Sequence, residues 1–259
     1  GLWDYDTPAA PNLIDITVDG REIKAIAQVT KQGFTYVFDR ATGVPVWPII
    51  ERAVPAATIP GERASPTQPF PTKPPAFALQ GLTEDDLIDF TPALRAEAVQ
   101  RLENFTYGPL FTPPSLPQGD KRGTVLMPGA GGGANWTGAG IDPESGVLFV
   151  PSRDSATVPR MGTLAGDESN FNYFRLNFLG VAGPQGLPIL KLPYSTITAF
   201  DMNSGEILWR VPNGAGSAQV ENSPALAGID LPPLGGGGRH AVLVTSSLLI
   251  HGQNAGYGP

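Results

Sequence analysis

The chain contains no cysteine, so disulfides, thiolate catalysis and cysteine-based metal sites are excluded. That absence leaves the cellular compartment open. Its two histidines, His240 and His251, are too few for a multi-histidine metal centre. No apolar run approaches the roughly 18 residues of a membrane-spanning helix, and none reads as a secretory leader. Basic residues never cluster in fives, and 17 of them face 24 acidic ones for a net charge of −7. This balance argues against a nucleic-acid groove and for a soluble acidic surface.

Glycine and proline, by contrast, are abundant: 32 and 28 residues, close to a quarter of 259. Without a repeat period such content often accompanies disorder. Here it alternates with β-branched apolar runs, and 41 % hydrophobic residues can form a core. The expectation is an all-β fold of short strands joined by many turns, in one large domain or two smaller ones.

Three stretches share one pattern. "YVFDRATGVPVW" (36–47), "AGIDPESGVLFV" (139–150) and "TAFDMNSGEILW" (198–209) each place an apolar residue before Asp-x-x-Ser/Thr-Gly, then run into an apolar strand. The aligned positions are Asp39, Asp142 and Asp201 with Gly43, Gly146 and Gly205. An Asp carboxylate can accept hydrogen bonds from turn amides, and Gly takes the positive φ that closes the loop. Recurrence of such a hairpin, closed twice by a Trp (Trp47, Trp209), suggests the blades of a β-propeller. The unequal spacing requires insertions between blades. These Asp and Trp residues are therefore assigned to turns and blade packing.

The largest insertion is residues 51–122, read as a surface excursion. Its first part, 51–80, is too rich in proline to predict regular structure. "LTEDDLIDF" (82–90) predicts a short helix capped by Thr83, and "PALRAEAVQRLENF" (92–105) a longer one with Pro in its first turn. The region 212–238 reads as loop. "MPGAGGGANWTGAG" (127–140) is glycine-rich but lacks the strand-loop-helix setting and Lys-Ser/Thr ending of a phosphate loop.

The chain opens on "GLWDYDTPAAP", whose Trp-Asp-Tyr-Asp cluster reads as the interior of a longer protein. That segment, with "VTKQGFTYVFDRATG", "SPTQPF", "FTPPS", "GGGANWTGAGIDPESGVLFVPS" and "ITAFDMNSGEILWRVPNG", resembles the pyrroloquinoline quinone (PQQ)-dependent dehydrogenases. The nearest branch is the quinoprotein glucose dehydrogenases. The absence of an adjacent cysteine pair, which alcohol-oxidising members often carry, fits that branch. The resemblance implies an eight-bladed propeller, of which residues 1–259 would be a part lacking both ends. It also implies PQQ and Ca²⁺ as cofactors and a periplasmic location. The implied reaction oxidises a sugar or alcohol hydroxyl, with electrons passing to quinone or cytochrome c. Membrane association would come only through parts outside this chain.

Carried over residue by residue, the resemblance makes Asp4 the general base and a calcium ligand. A carboxylate capping a turn before Pro8 is the plainer reading of the same residue. Lys31 falls where the family places a cation beside the quinone oxygens; otherwise it is a solvated turn lysine before Gly33. Asn135 and Trp136 fall at cofactor-contact positions, against an Asn suited to a tight turn and a Trp packed between blades. Asp6 would share a strand face with Asp4 if the segment were extended. Two functions are therefore expected to compete: a PQQ- and Ca²⁺-dependent dehydrogenase, and a non-catalytic propeller scaffold for protein contacts. Turn motifs serve both, whereas Asp4, Lys31 and Asn135 together serve only the first.

Overall fold

A computed structural model describes residues 2–164 and 170–254. The first sheet is an antiparallel meander of β1 (Asn12–Val18), β2 (Arg21–Val29) and β3 (Thr35–Asp39). Strict alternation sets its register: Ile14, Ile16 and Val18 of β1 and Ile23, Ala25, Ala27 and Val29 of β2 all point to one buried face. Asp19 and Gly20, both at positive φ, close the β1–β2 hairpin as a two-residue loop.

Between β3 and the next large sheet lies a hairpin of β4 (Ile49–Ala53) and β5 (Thr67–Pro71). Strands thus form in the stretch whose proline content predicts none. They can because the pair is isolated, so Pro69 and Pro71 can turn their missing N–H sites away from the ladder. The expected helix after Thr83 is a single 3₁₀ turn, Glu84–Asp86. There Asp86 accepts from the Thr83 amide at 2.9 Å. α1 (Pro92–Leu102) then begins where expected, with Thr91 Oγ1 accepting from the Leu94 amide at 3.1 Å. It buries Leu94, Ala98 and Leu102, one face at helical spacing. These three join Leu82, Leu87 and Ile88 in a cluster with Val125, Met127 and Leu190 from later in the chain, so this part of 51–122 packs into a shared core rather than running over the surface as expected.

The second large sheet has the order β11-β10-β7-β6: β6 (Gly140–Asp142), β7 (Val147–Arg153), β10 (Ser195–Asp201) and β11 (Glu206–Pro212). The second and third Asp-x-x-Ser/Thr-Gly hairpins therefore share one sheet, joined by β7–β10 pairing. The insertion between them, with β8 (Thr157–Thr163) paired to β9 (Tyr173–Gly180), interrupts a blade rather than separating two. All three turns have the expected geometry, with Gly43, Gly146 and Gly205 at φ of 71–76°. The amide of each donates to the carbonyl of its Asp at 2.8–3.0 Å. Leu148, Val150 and Phe200 of this sheet, with Met202 just past β10, meet the buried face of the first sheet in a second cluster. Trp47 leans on that cluster, and Trp209 stands 5.8 Å from the ring of Phe149.

Residues 212–238 carry only α2 (Ala218–Glu221) and a 3₁₀ turn at Pro224–Leu226. β12 (Arg239–Val244) and β13 (Leu249–Asn254) form the last hairpin. It lies against β6, where a Cβ on Gly140 would come within 2.6 Å of Val244. The first sheet, the four-stranded sheet and this hairpin thus follow one another as blade-like units. No helix among the described residues is long and apolar enough to cross a membrane.

Candidate active site

Trp3 and Tyr5 are the feet of the opening segment. Trp3 is buried, donates its indole N–H to the Thr112 carbonyl at 3.1 Å and meets Phe111 edge-on at 5.1 Å. Tyr5 also packs on Phe111 and donates its hydroxyl to the Pro128 carbonyl at 2.5 Å. Burial pushes the Tyr5 phenol above its ordinary pKa, so it stays a donor. With the aromatics pinned inward, Asp4 and Asp6 are left on the other side. The segment is not simply extended, because Asp4 sits at φ 60°. Asp tolerates that region better than most residues.

Both carboxylates reach Lys31, which lies two residues past β2, at the start of the β2–β3 turn, and is 7 % exposed. It is not the solvated turn lysine of the plainer reading. Its ammonium donates to the Asp4 carbonyl at 3.1 Å, lies 3.4 Å from Asp4 Oδ2 and pairs with Asp6 Oδ1 at 2.5 Å. Its three protons therefore have three acceptors. Burial raises the Asp6 pKa, but the Lys31 hydrogen bond, a backbone hydrogen bond and the Lys31 charge together hold it below the usual carboxylate value. Asp4 keeps 44 % of its side chain open and has Arg175 at 3.9 Å as a more distant cation. The sequence reading set Asp6 beside Asp4 but missed its pairing with Lys31, and it missed Tyr5 as an anchor. The Trp-Asp-Tyr-Asp alternation was the available signal for both.

The glycine-rich loop packs behind Lys31. Gly133 donates its amide to the Lys31 carbonyl at 2.9 Å. Gly132, at φ 71°, lies so close that a Cβ would stand 2.5–2.6 Å from Lys31 Cα, Cβ and Cγ. Only glycine fits there. Asn135 closes the loop: its amide donates to the Gly131 carbonyl at 2.7 Å, and its Oδ1 accepts from the Trp136 amide at 2.8 Å. So Asn135 shapes the turn, as the plainer reading had it, while also lining a cleft of about 200 Å³. Trp136 neither packs between blades nor lines that cleft. Its ring is 61 % exposed, under the Arg239 guanidinium at 5.9 Å. Asp4 and Lys31 are thus in contact, Asn135 is joined to them through the loop, and Trp136 stands outside.

The donor set suits one side of a planar, oxygen-rich anion: an ammonium backed by glycines that let a flat ligand approach, with an amide nearby. A ligand oxygen at Lys31 would have to replace one present acceptor, and the 3.4 Å contact to Asp4 is the longest. A hard dication is less well provided for. Among the described residues no group of three or more Asp, Glu or His side chains converges, and Asp4 and Asp6 are both held by Lys31.

The family described as PQQ: glucose/ethanol/alcohol dehydrogenase, β-propeller domain, matches residues 1–256. The chain is 31 % identical to a glycerol dehydrogenase large subunit of Gluconobacter thailandicus, over 84 % of this chain and 33 % of that protein. It is 30 % identical to a quinate/shikimate dehydrogenase (quinone) of Acinetobacter baylyi, over 82 % and 28 %. It is 29 % identical to the quinoprotein glucose dehydrogenase of Escherichia coli, over 81 % and 28 %. The chain therefore spans about a third of the length of these curated relatives. Its all-β sheets, its blade motif and this match agree: the chain belongs to the PQQ-dependent glucose/ethanol/alcohol dehydrogenase family, as part of the β-propeller domain.

Proposed function

We propose that the protein containing this chain oxidises a sugar or alcohol hydroxyl to the carbonyl or lactone, with Asp4 as general base. The observation that carries the reading is the Asp4 carboxylate itself. It is nearly half open to solvent, held by a buried ammonium, and engaged by no turn amide among the described residues. A carboxylate so placed can take the hydroxyl proton as the C–H bond breaks. PQQ, when bound, supplies the two-electron acceptor. Lys31 contributes a fixed positive charge where negative charge would grow on the acceptor's oxygens. Asn135 holds the loop and offers an amide proton to a ligand oxygen. Calcium in the whole protein would take Asp4 among its oxygens, with its other ligands from outside this chain. Electrons would pass to a quinone or cytochrome c, in the bacterial periplasm. The substrate class stays at CH–OH, because relatives named for glycerol, quinate and glucose are about equally identical to this chain, at 29–31 %.

The test uses full-length protein reconstituted with PQQ and Ca²⁺, following dye reduction with glucose, glycerol and simple alcohols. Turnover with at least one of them is expected. Asp4→Asn should bind PQQ, read from its absorbance, yet lose turnover. Retained turnover would remove Asp4 from the base role, and absence of both PQQ binding and turnover would remove the enzyme reading.

A further inference from the structure

On the far side of the glycine loop from Lys31 lies the cleft that Asn135 lines. Its other wall is formed by Arg153, at the end of β7, and by Arg239 and His240, at the start of β12. Two guanidiniums facing one small cleft is an unusual arrangement, because like charges repel. Neither forms an ion pair with any carboxylate among the described residues. Among the described residues, the Arg153 guanidinium meets only the Ser155 hydroxyl, at 3.3 Å from Nη2, and that of Arg239 only the face of Trp136. Burial, and then the Arg239 charge, lower the Arg153 pKa, the expected sign of an uncompensated pair. His240 adds no negative charge. Its Nε2–H faces the Gly236 carbonyl at 3.1 Å, which leaves Nδ1 to accept from His251 Nε2–H at 3.0 Å. No carboxylate lines the rest of the cleft: glycine backbone forms part of it beside Ala134, Thr137, Pro151 and Ser152, and a Cβ at Gly131 would stand 3.4 Å from Arg153 Nη2. A ligand can therefore lie close to the guanidinium.

We propose that Arg153 and Arg239 bind a carboxylate in this cleft, with Asn135 as an auxiliary donor. Planar guanidinium forks match a carboxylate's two oxygens, and a carboxylate would neutralise the repulsion between the two arginines. About 200 Å³ admits a small hydroxy acid or one edge of a larger ligand. Because the loop joins this cleft to Lys31, the inference deepens the dehydrogenase reading and rests on it. The carboxylate belongs either to an acidic substrate or to the tricarboxylate cofactor.

Calorimetric titrations of the full-length protein separate the two sources, using PQQ, gluconate and its uncharged counterpart glucitol. Gluconate or PQQ binding should weaken about tenfold or more in Arg239→Gln and in Arg153→Gln, the size expected for losing a charged hydrogen bond. Glucitol binding should not change. Binding should also alter emission that disappears in Trp136→Phe, since Arg239 leaves the indole face. A loss confined to gluconate supports the site with substrate as the source; a loss confined to PQQ supports it with cofactor as the source. Unchanged affinity for both acids in the double variant, with wild-type melting behaviour, overturns it. Failure of wild-type protein to bind PQQ would instead count against the quinoprotein reading, and the gluconate arm would still decide the cleft.

Discussion

The three hairpin turns and the opening segment use the same residue in opposite ways. In the turns, each Asp carboxylate is consumed locally. Asp201 accepts from the Asn203 amide at 2.9 Å and the Ser204 hydroxyl at 2.9 Å, and Asp142 from the Glu144 amide at 3.1 Å and the Ser145 hydroxyl at 2.5 Å. Asp39 does the same with the Ala41 and Thr42 amides. Among the described residues, Asp4 accepts from no turn donor. Its carboxylate faces one lysine, with Arg175 further off, and stays open. A carboxylate with its lone pairs satisfied by its own turn stabilises that turn and has little left for a substrate. Chemistry is available where local satisfaction stops.

The sharpest way to break this comparison is to remove the negative charge in both places. Asp4→Asn in the full-length protein should cost about 10²–10⁴-fold in turnover, the usual worth of a positioned base. PQQ absorbance on binding should be preserved. Asp142→Asn should leave turnover unchanged and lower stability only slightly, as for a lost side-chain cap on an exposed turn. Equal losses of turnover in the two variants would erase the distinction.

Glycines offer a second contrast. Gly43 and Gly132 both have positive φ, but a Cβ at Gly43 meets nothing within 4 Å, whereas one at Gly132 strikes Lys31 backbone and side-chain carbons. Gly43→Ala should cost about 1 kcal/mol of left-handed strain. Gly132→Ala should cost about 2–4 kcal/mol, since overpacking adds to that strain. It should also weaken PQQ binding by displacing Lys31. Chemical denaturation with an unchanged m-value measures both. Similar costs at the two sites would mean that the loop yields more easily than its contacts imply.

Much of this organisation was legible in the sequence because it is local. The turns follow from five consecutive residues, and α1 from Pro92 and the spacing of Leu94, Ala98 and Leu102. Long-range pairing was not legible. That two hairpins share a sheet depends on β7 meeting β10 across an insertion, which no local pattern records. Asp4 and Lys31 were legible as family positions, but their contact spans 27 residues and the part of Asp6 emerged only in three dimensions. Arg153 and Arg239 carried no motif. Arg239 follows a glycine run that read as loop, and its charge matters only because folding sets it opposite Arg153.

The smallest effect compares two buried titratable groups near the cleft whose environments push stability in opposite directions. Asp154 accepts from the Leu79 amide at 3.1 Å, and burial, only partly offset by that bond and by Arg210, raises its pKa to about 6. Folded protein then holds a proton that the unfolded chain lacks between pH 3.8 and about 6, so this group adds stability as pH falls. His240 is the reverse. Burial first, then the charge of His251, lowers its pKa to about 4, so between pH 6.5 and about 4 the unfolded chain binds the extra proton. That group removes stability as pH falls. Over the pH 7 to 5 interval each is worth about 1–2 kcal/mol, and the two largely offset one another. His240→Gln should make the protein gain, or lose less, melting temperature on going from pH 7 to 5. Asp154→Asn should make the acid loss steeper. If both variants kept the wild-type slope, neither group would be as buried or as poorly satisfied as its surroundings indicate. The contrast with Asp201, whose donors hold its pKa below the usual value against burial, would then lose its physical basis.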